Sequence, residues 1–302
     1  MAINHQRPAD QAGQPPQKEK SVAISLSSLK STKRNDPPIT LLYGVDGIGK
    51  TSLAAEFPNP IYLFTDGERP PSDIDLPTPT NEGGDPVALS SFKDVLDWFA
   101  LLLTEQHEYG TVIVDSLDGL EPLVDATTAT RIGASSVTDN SKGSPAAFGN
   151  GIVETRVEWG EFMAACSALS RAGIYVVLLV HPEIKRFDSP VTDPYDRYIV
   201  KLNKHASAVV RERCDVVGFL NRRVSLKTKE VGMRKEVIHA EGGKEVQIHL
   251  NEGAGFLAKN RYGMPDAVQY RKGQGFTELA KYWPGGANLD DIIGATPPQS
   301  AT

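Results

Sequence analysis

The sequence predicts an α/β protein built on a mostly parallel central sheet. Three observations carry this. The stretches ITLLYG (39–44), IYLFTD (61–66), TVIVDS (111–116) and IYVVLLVH (174–181) are almost wholly apolar. Strands read this way when both faces are covered, as in parallel sheets. Helix-patterned segments separate them, which is the order of βα units. After residue 182 the style changes, and from Lys235 to Gln269 the pattern is short β segments with Gly turns, predicting a C-terminal β-rich extension.

The elements follow in order. The first 20 residues, polar and Pro/Gln-rich, predict a disordered arm. ITLLYG is the first strand. KTSLAAEF (50–57) is helix-prone and is stopped by Pro58 and Pro60. IYLFTD is the second strand. FKDVLDWFALLL places Phe92, Val95, Leu96, Phe99, Leu102 and Leu103 on one helical face. TVIVDS is the third strand, with a helix from Asp118 to about Thr130. Residues 131–151 are rich in Gly, Ser and Asn and read as a mobile loop. A long helix then runs to about Ala172, and IYVVLLVH is the fourth strand. PEIKRFDSPVTDPYDRY (182–198) reads as a polar, Pro-broken loop, NKHASAVVRER as a helix and DVVGFLNRRVSL as a strand. Residues 273–302 read as a C-terminal segment ending in a flexible tail, GATPPQSAT.

Composition narrows the function classes. The 302 residues are 40% hydrophobic and 23% charged, ordinary for a globular protein. No apolar run is long enough to span a bilayer, and the N-terminus lacks the apolar stretch of a secretory signal. Cys166 and Cys214 stand far apart with no CxxC pairing, which suits a reducing cytoplasm and argues against a zinc site. Net charge is −6, so any nucleic-acid binding must be local rather than spread over the surface.

GVDGIGKT, Gly44 to Thr51, fits G-x-x-x-x-G-K-S/T with a predicted strand before it and a helix after it. Glycines at 44, 47 and 49 let the backbone curl so that several N–H groups face one point. Those donors and the following helix start cradle phosphates. Gly44, Val45, Asp46, Gly47, Ile48, Gly49, Lys50, Thr51 and Ser52 are therefore the candidate nucleotide site, for ATP with Mg²⁺. Lys50 would reach the β and γ phosphates, and the Thr51 hydroxyl would bind the metal.

Asp115 ends the third strand, where a carboxylate can hold magnesium water. Ser116 either caps the next helix or touches the site. Hydrolysis also needs a carboxylate to orient water. FTDGERP supplies two, Glu68 and Asp66, and Glu68 is the stronger candidate. His181 ends the fourth strand, where a polar side chain can sense the γ-phosphate. In AKNRYGMP (258–265), Lys259 and Arg261 point to one face of an extended segment. On composition alone, such a pair faces water.

The order of these pieces resembles the RecA-like recombinase ATPases, and more narrowly the short phage relatives that consist of a RecA-like core and act as single-strand annealing proteins. The resemblance covers about residues 36 to 272 and implies a RecA-like ATPase core over 37–272. GVDGIGKT is similar to the family's phosphate loop. FTDGE resembles its catalytic-glutamate strand, which falls on Glu68, and TVIVDS its magnesium strand, at Asp115. LLVH resembles the strand ending in the γ-phosphate sensor, although the family usually has Gln or Asn where this chain has His181. AKNRYGMP resembles the segment whose cations reach the ATP of a neighbouring subunit. The resemblance thus implies that Lys259 and Arg261 act in trans, in a ring or filament.

The same resemblance implies single-stranded DNA as partner, with a single-strand-binding protein as a further one, in the host cytoplasm of a phage. It implies two DNA loops, 131–151 and 182–197. The second holds Lys185, Arg186 and Phe187, and cations beside an aromatic suit phosphate contact with base stacking. A basic strip follows at 222–235, with Arg222, Arg223, Lys227, Lys229, Arg234 and Lys235. SVAISLSSLKS, within 21–36, becomes a candidate oligomerisation segment. Competing readings are a protein remodeller or packaging-type motor, a small-molecule kinase, and a P-loop protein that binds without hydrolysing. The β-rich stretch 235–270 argues against the first, which would carry a helical lid, and the scarcity of Arg in 131–151 against the second.

Overall fold

The central strands are apolar at nearly every position because helices cover both faces of their sheet. The computed structural model describes residues 26, 29, 34–189, 193–230 and 236–284, with the backbone alone at 224–230, 236–242 and 244. The arm 1–20, most of the segment 21–36, and the tail beyond 284 lie outside the described residues. Residues from Asn35 onward form one compact unit, and those before it a separate one.

In chain order the elements are β1 (Ile39–Gly44), α1 (Lys50–Ala54), β2 (Pro60–Phe64), α2 (Phe92–Thr104), β3 (Thr111–Asp115), α3 (Leu117–Ile132), α4 (Asn150–Glu154), α5 (Arg156–Arg171), β4 (Tyr175–Val180), β5 (Pro182–Phe187), β6 (Tyr195–Val200), α6 (Lys204–Arg213), β7 (Val216–Glu230), β8 (Glu236–His249), β9 (Lys259–Asn260), β10 (Ala267–Tyr270) and α7 (Gly275–Ala280). The eight-stranded sheet runs β10-β8-β7-β1-β4-β3-β2, with β9 on β7. From β7 to β2 every pairing is parallel. β8, β9 and β10 join antiparallel and form the C-terminal β-rich extension.

Period-two alternation sorts the core into two layers. Leu41, Tyr43, Val114 and Leu178 face α2, α3, α5 and α6, meeting Phe99, Leu120, Trp159 and Val210. Leu42, Tyr62, Ile113 and Leu179 face the other way, toward Leu53 of α1 and Phe276 of α7, with Phe57 and Trp283. The start of α2 is set by a capping box, Ser91 with Asp94. Its predicted stripe holds at Phe92, Val95, Phe99 and Leu102, but Leu103, in the last turn, is exposed.

Two predicted loops are folded. The 182–198 stretch is an antiparallel hairpin, β5 with β6, pairing Lys185 with Arg197, Arg186 with Asp196 and Phe187 with Tyr195. Two of its prolines sit where sheets tolerate them, at the first residue of β5 (Pro182) and just ahead of β6 (Pro194). The 131–151 stretch is pinned by buried Val137, Ala146 and Ala147 and ends in α4. Its small residues allow close packing rather than looseness: a Cβ on Gly151 would lie 2.2 Å from the Val137 carbonyl. Among the described residues no helix is long and apolar enough to cross a membrane.

Candidate active site

Four parallel strands end together, and each delivers one chemical group to the same edge. β1 ends at Gly44, whose Cβ would lie 2.4 Å from the Leu220 carbonyl, so only glycine lets the chain turn there. The loop that follows has left-handed Gly47 and Gly49, the latter at φ 103°. Ile48 plugs the loop into the core beneath it, while Val45 packs more loosely on the same cluster. Lys50 is buried and donates to the Gly44 carbonyl at 2.8 Å, folding back over its own loop. Burial lowers its pKa, against the pull of Asp46. Asp46 Oδ1 stands 4.0 Å from the Lys50 Nζ. Ser52, in the first turn of α1, is half-buried.

Thr51, the first hydroxyl of α1, donates to Asp115 Oδ2 at 3.0 Å. Tyr62 Oη donates to the same oxygen at 2.9 Å. Asp115 is buried, and burial raises its pKa against these hydrogen bonds. The Thr51 hydroxyl and Asp115 carboxylate are hard oxygen donors side by side, which fits Mg²⁺. Among the described residues no cluster of three or more metal-ligating side chains exists.

After β2, Thr65–Glu68 turns with Gly67 at φ 96°. The turn leaves Asp66 exposed and Glu68 half-buried, facing the site. Burial raises the Glu68 pKa, and Asp115 adds to it, while His181 and a hydrogen bond with Ser116 oppose. Ser116 caps the next helix, its Oγ accepting Gly119 N–H at the start of α3. His181 directly follows β4. Its Nε2 lies 3.3 Å from Asp46 Oδ1 and 3.7 Å from Glu68 Oε1, and its Nδ1 lies 3.0 Å from Asp118 Oδ2.

The other predicted residues lie elsewhere. Lys259 and Arg261 stand at the amino edge, because β9 pairs with the start of β7. Lys259 Nζ donates to the carbonyls of Arg211, Glu212 and Cys214 at 2.8–3.0 Å, closing the end of α6. Arg261 donates to Asp215 Oδ1 at 3.2 Å and to the Glu212 carbonyl at 2.7 Å. Lys185 and Arg186 are exposed on opposite faces of the hairpin, and Arg186 pairs with Asp188. Phe187 meets Tyr195 edge to face, with ring centroids 5.5 Å apart, and carries the Arg197 guanidinium 3.9 Å above its ring. Arg222 and Arg223 are exposed on β7, with Arg223 near Glu245. The side chains of Lys227 and Lys229, and all of Arg234 and Lys235, lie outside the described residues.

Sequence reading missed Tyr62, Asp118 and Phe148. Tyr62 is hidden in an apolar run, although a buried phenol needs a partner. Asp118 reads as an ordinary acidic residue in a first helical turn. Phe148 is the one aromatic in a Gly/Ser-rich stretch. It is 97% exposed with φ 60°, left-handed for a bulky residue.

A parallel sheet with a glycine phosphate loop, an adjacent Thr–Asp pair and a carboxylate facing the loop defines a P-loop nucleoside-triphosphatase core. The chain belongs to the AAA-domain family: the family model matches residues 36–262, and the family indicates a P-loop ATPase. A search of curated proteins gives no match.

Proposed function

We propose that the protein is a Mg²⁺-dependent ATPase that binds single-stranded DNA and promotes its annealing or homologous recombination. The observation that carries this reading is the position of the β5–β6 hairpin. It leaves the sheet at His181 and returns at Lys201, whose N–H donates to the His181 carbonyl at 2.9 Å. An exposed element bearing Lys185, Arg186 and the Phe187–Tyr195 pair thus grows directly from the nucleotide edge. Phe148 adds a solvent-facing ring on the loop after the magnesium strand, a stacking surface for a base.

In this reading Lys50 binds the β and γ phosphates. Thr51 and Asp115 hold Mg²⁺, which when bound neutralises phosphate charge. Glu68 orients the attacking water, its raised pKa bringing it closer to a useful base. Lys259 and Arg261 turn away from their own loop, so any contact with nucleotide is with a neighbour's in a ring or filament. Making that contact requires them to leave the carbonyls of α6.

The test is ATP turnover of the wild type and of Lys259→Ala/Arg261→Ala, with and without single-stranded DNA, across protein concentration. A DNA-stimulated rate that climbs per subunit with concentration, and stays flat in the double variant, supports the reading. Phe148→Ala should weaken DNA binding about 5- to 150-fold, the range for one stacked base. A rate indifferent to DNA and to concentration overturns it in favour of a P-loop enzyme that does not act on DNA.

A further inference from the structure

We propose that Asp118 is a positioning residue for ATP hydrolysis, holding the His181 ring so that a doubly protonated imidazole points its Nε2–H across the mouth of the phosphate loop. The inference rests on the ATPase reading and assigns a role to a residue outside every motif of the site.

The geometry leaves the ring little choice. Asp118, on the first turn of α3, accepts the His181 backbone N–H at 3.2 Å, and both its oxygens lie 3.0–3.1 Å from Nδ1. Its side chain is 10% exposed, so this grip is screened from water. Lys201 Nζ reaches Oδ2 of the same carboxylate at 3.3 Å. Nδ1 therefore carries a proton. Nε2 then faces two more carboxylates, Asp46 at 3.3 Å and Glu68 at 3.7 Å. A bare lone pair there would repel both carboxylates, which favours a proton on the second nitrogen too.

The charged groups around the ring are Asp118 from α3, Asp46 from the phosphate loop, Glu68 after β2, Asp115 at the end of β3, Lys50 from α1 and Lys201 after β6. Four carboxylates oppose two ammonium groups, and the hydrogen bond to Asp118 raises the His181 pKa above the ordinary value of 6.5 against the effect of burial. Asp46 is 86% exposed and stands beside both Lys50 and His181. In the proposal a phosphate of the nucleotide takes over this place between Lys50 and His181. A fixed cation in the same subunit stabilises charge as phosphoryl transfer proceeds.

Two readouts on the full chain separate this proposal from the ATPase reading. The first is the protonation midpoint of His181, followed by NMR of ring-labelled histidine, with His181→Gln assigning its resonance. Asp118→Asn keeps the shape but not the charge, and should lower the ring's proton affinity at least tenfold. Asp118→Glu should restore most of it. The second is the pH profile of turnover. The alkaline limb should move to lower pH in Asp118→Asn by the same amount and vanish in His181→Gln. An unmoved midpoint in Asp118→Asn overturns the proposal, as does a moved midpoint with an unmoved profile. If the wild type does not turn over ATP, the ATPase reading fails. The midpoint with a non-hydrolysable ATP analogue and Mg²⁺ then decides: a rise on binding that Asp118→Asn abolishes keeps the positioning role, and no rise ends it.

Discussion

The two edges of one sheet treat their charges in opposite ways. At the amino edge Lys259 and Arg261 are held by fixed partners: Lys259 by three carbonyls, Arg261 by the wholly buried Asp215 carboxylate and a further carbonyl. Asp215 accepts Ile39 N–H on its other oxygen, tying the start of β1 to the start of β7. At the carboxyl edge the charges share partners and compete. His181 meets three carboxylates, and Asp46 serves two cations while mostly in water. Saturated groups hold a fold, whereas groups left short of partners are placed to receive something. That difference says which charged residues to expect in chemistry and which in stability.

The comparison is broken most decisively at Glu68. Glu68→Gln should cut ATP turnover by about 10²–10⁴-fold, the contribution of a positioned base, while nucleotide binding survives. Lys50→Ala should cost on the order of 10²–10³-fold and weaken nucleotide binding as well, with the melting temperature held, because it removes a buried charge rather than a packing partner. Steady-state turnover beside nucleotide titration and a thermal melt reads both. If either variant lowers the melting temperature more than it lowers turnover, the carboxyl edge is structural and the contrast fails.

At the amino edge the expected damage is to stability. Arg261→Ala takes this cation away from the buried Asp215 carboxylate. Arg261 is itself half in water, so the loss should be about 2–3 kcal/mol, below that of a fully buried pair. Chemical denaturation should show a lower midpoint with unchanged slope. A variant that keeps full stability while losing only assembly-dependent turnover would leave Arg261 its proposed role toward a neighbour's nucleotide and remove its structural one.

Much of this was legible in the sequence, for physical reasons. Doubly covered strands must be apolar throughout, so β1 to β4 announced themselves, and the glycines at 44 and 49 are demanded by contacts and dihedrals that only glycine meets. The hairpin was not legible, because its strands mix polar and apolar residues on both faces and its pairing joins residues such as Lys185 and Arg197 that are not neighbours in sequence. Asp118 was invisible because its meaning comes from β4 arriving beside α3, not from its neighbours in sequence. Lys259 and Arg261 show the converse. Two cations on one face of a strand look the same in sequence whether carbonyls or phosphates answer them.

The smallest effect sharpens the contrast from a place between the edges. Asp125, on α3, has its pKa raised to about 6 by burial and by Glu121 beside it, and its Oδ1 has no hydrogen-bond partner among the described residues. A carboxyl whose folded pKa lies above its unfolded value of 3.8 binds a proton more tightly in the folded chain. Above pH 6 it is ionised in both states and destabilises the fold. As pH falls from about 6 to about 4 the folded chain takes up the proton first, and the penalty disappears. Asp125→Asn should therefore stabilise the chain by about 1 kcal/mol at pH 7, after allowance for its partial exposure, and by almost nothing at pH 4. Denaturation curves of both chains at pH 4, 5, 6 and 7 test this. A gain that persists at pH 4 would assign the benefit to the amide's new hydrogen bonds rather than to the lost charge. A gain that fades with acid would place Asp125 with the underserved charges of the carboxyl edge, although no strand end delivers it there.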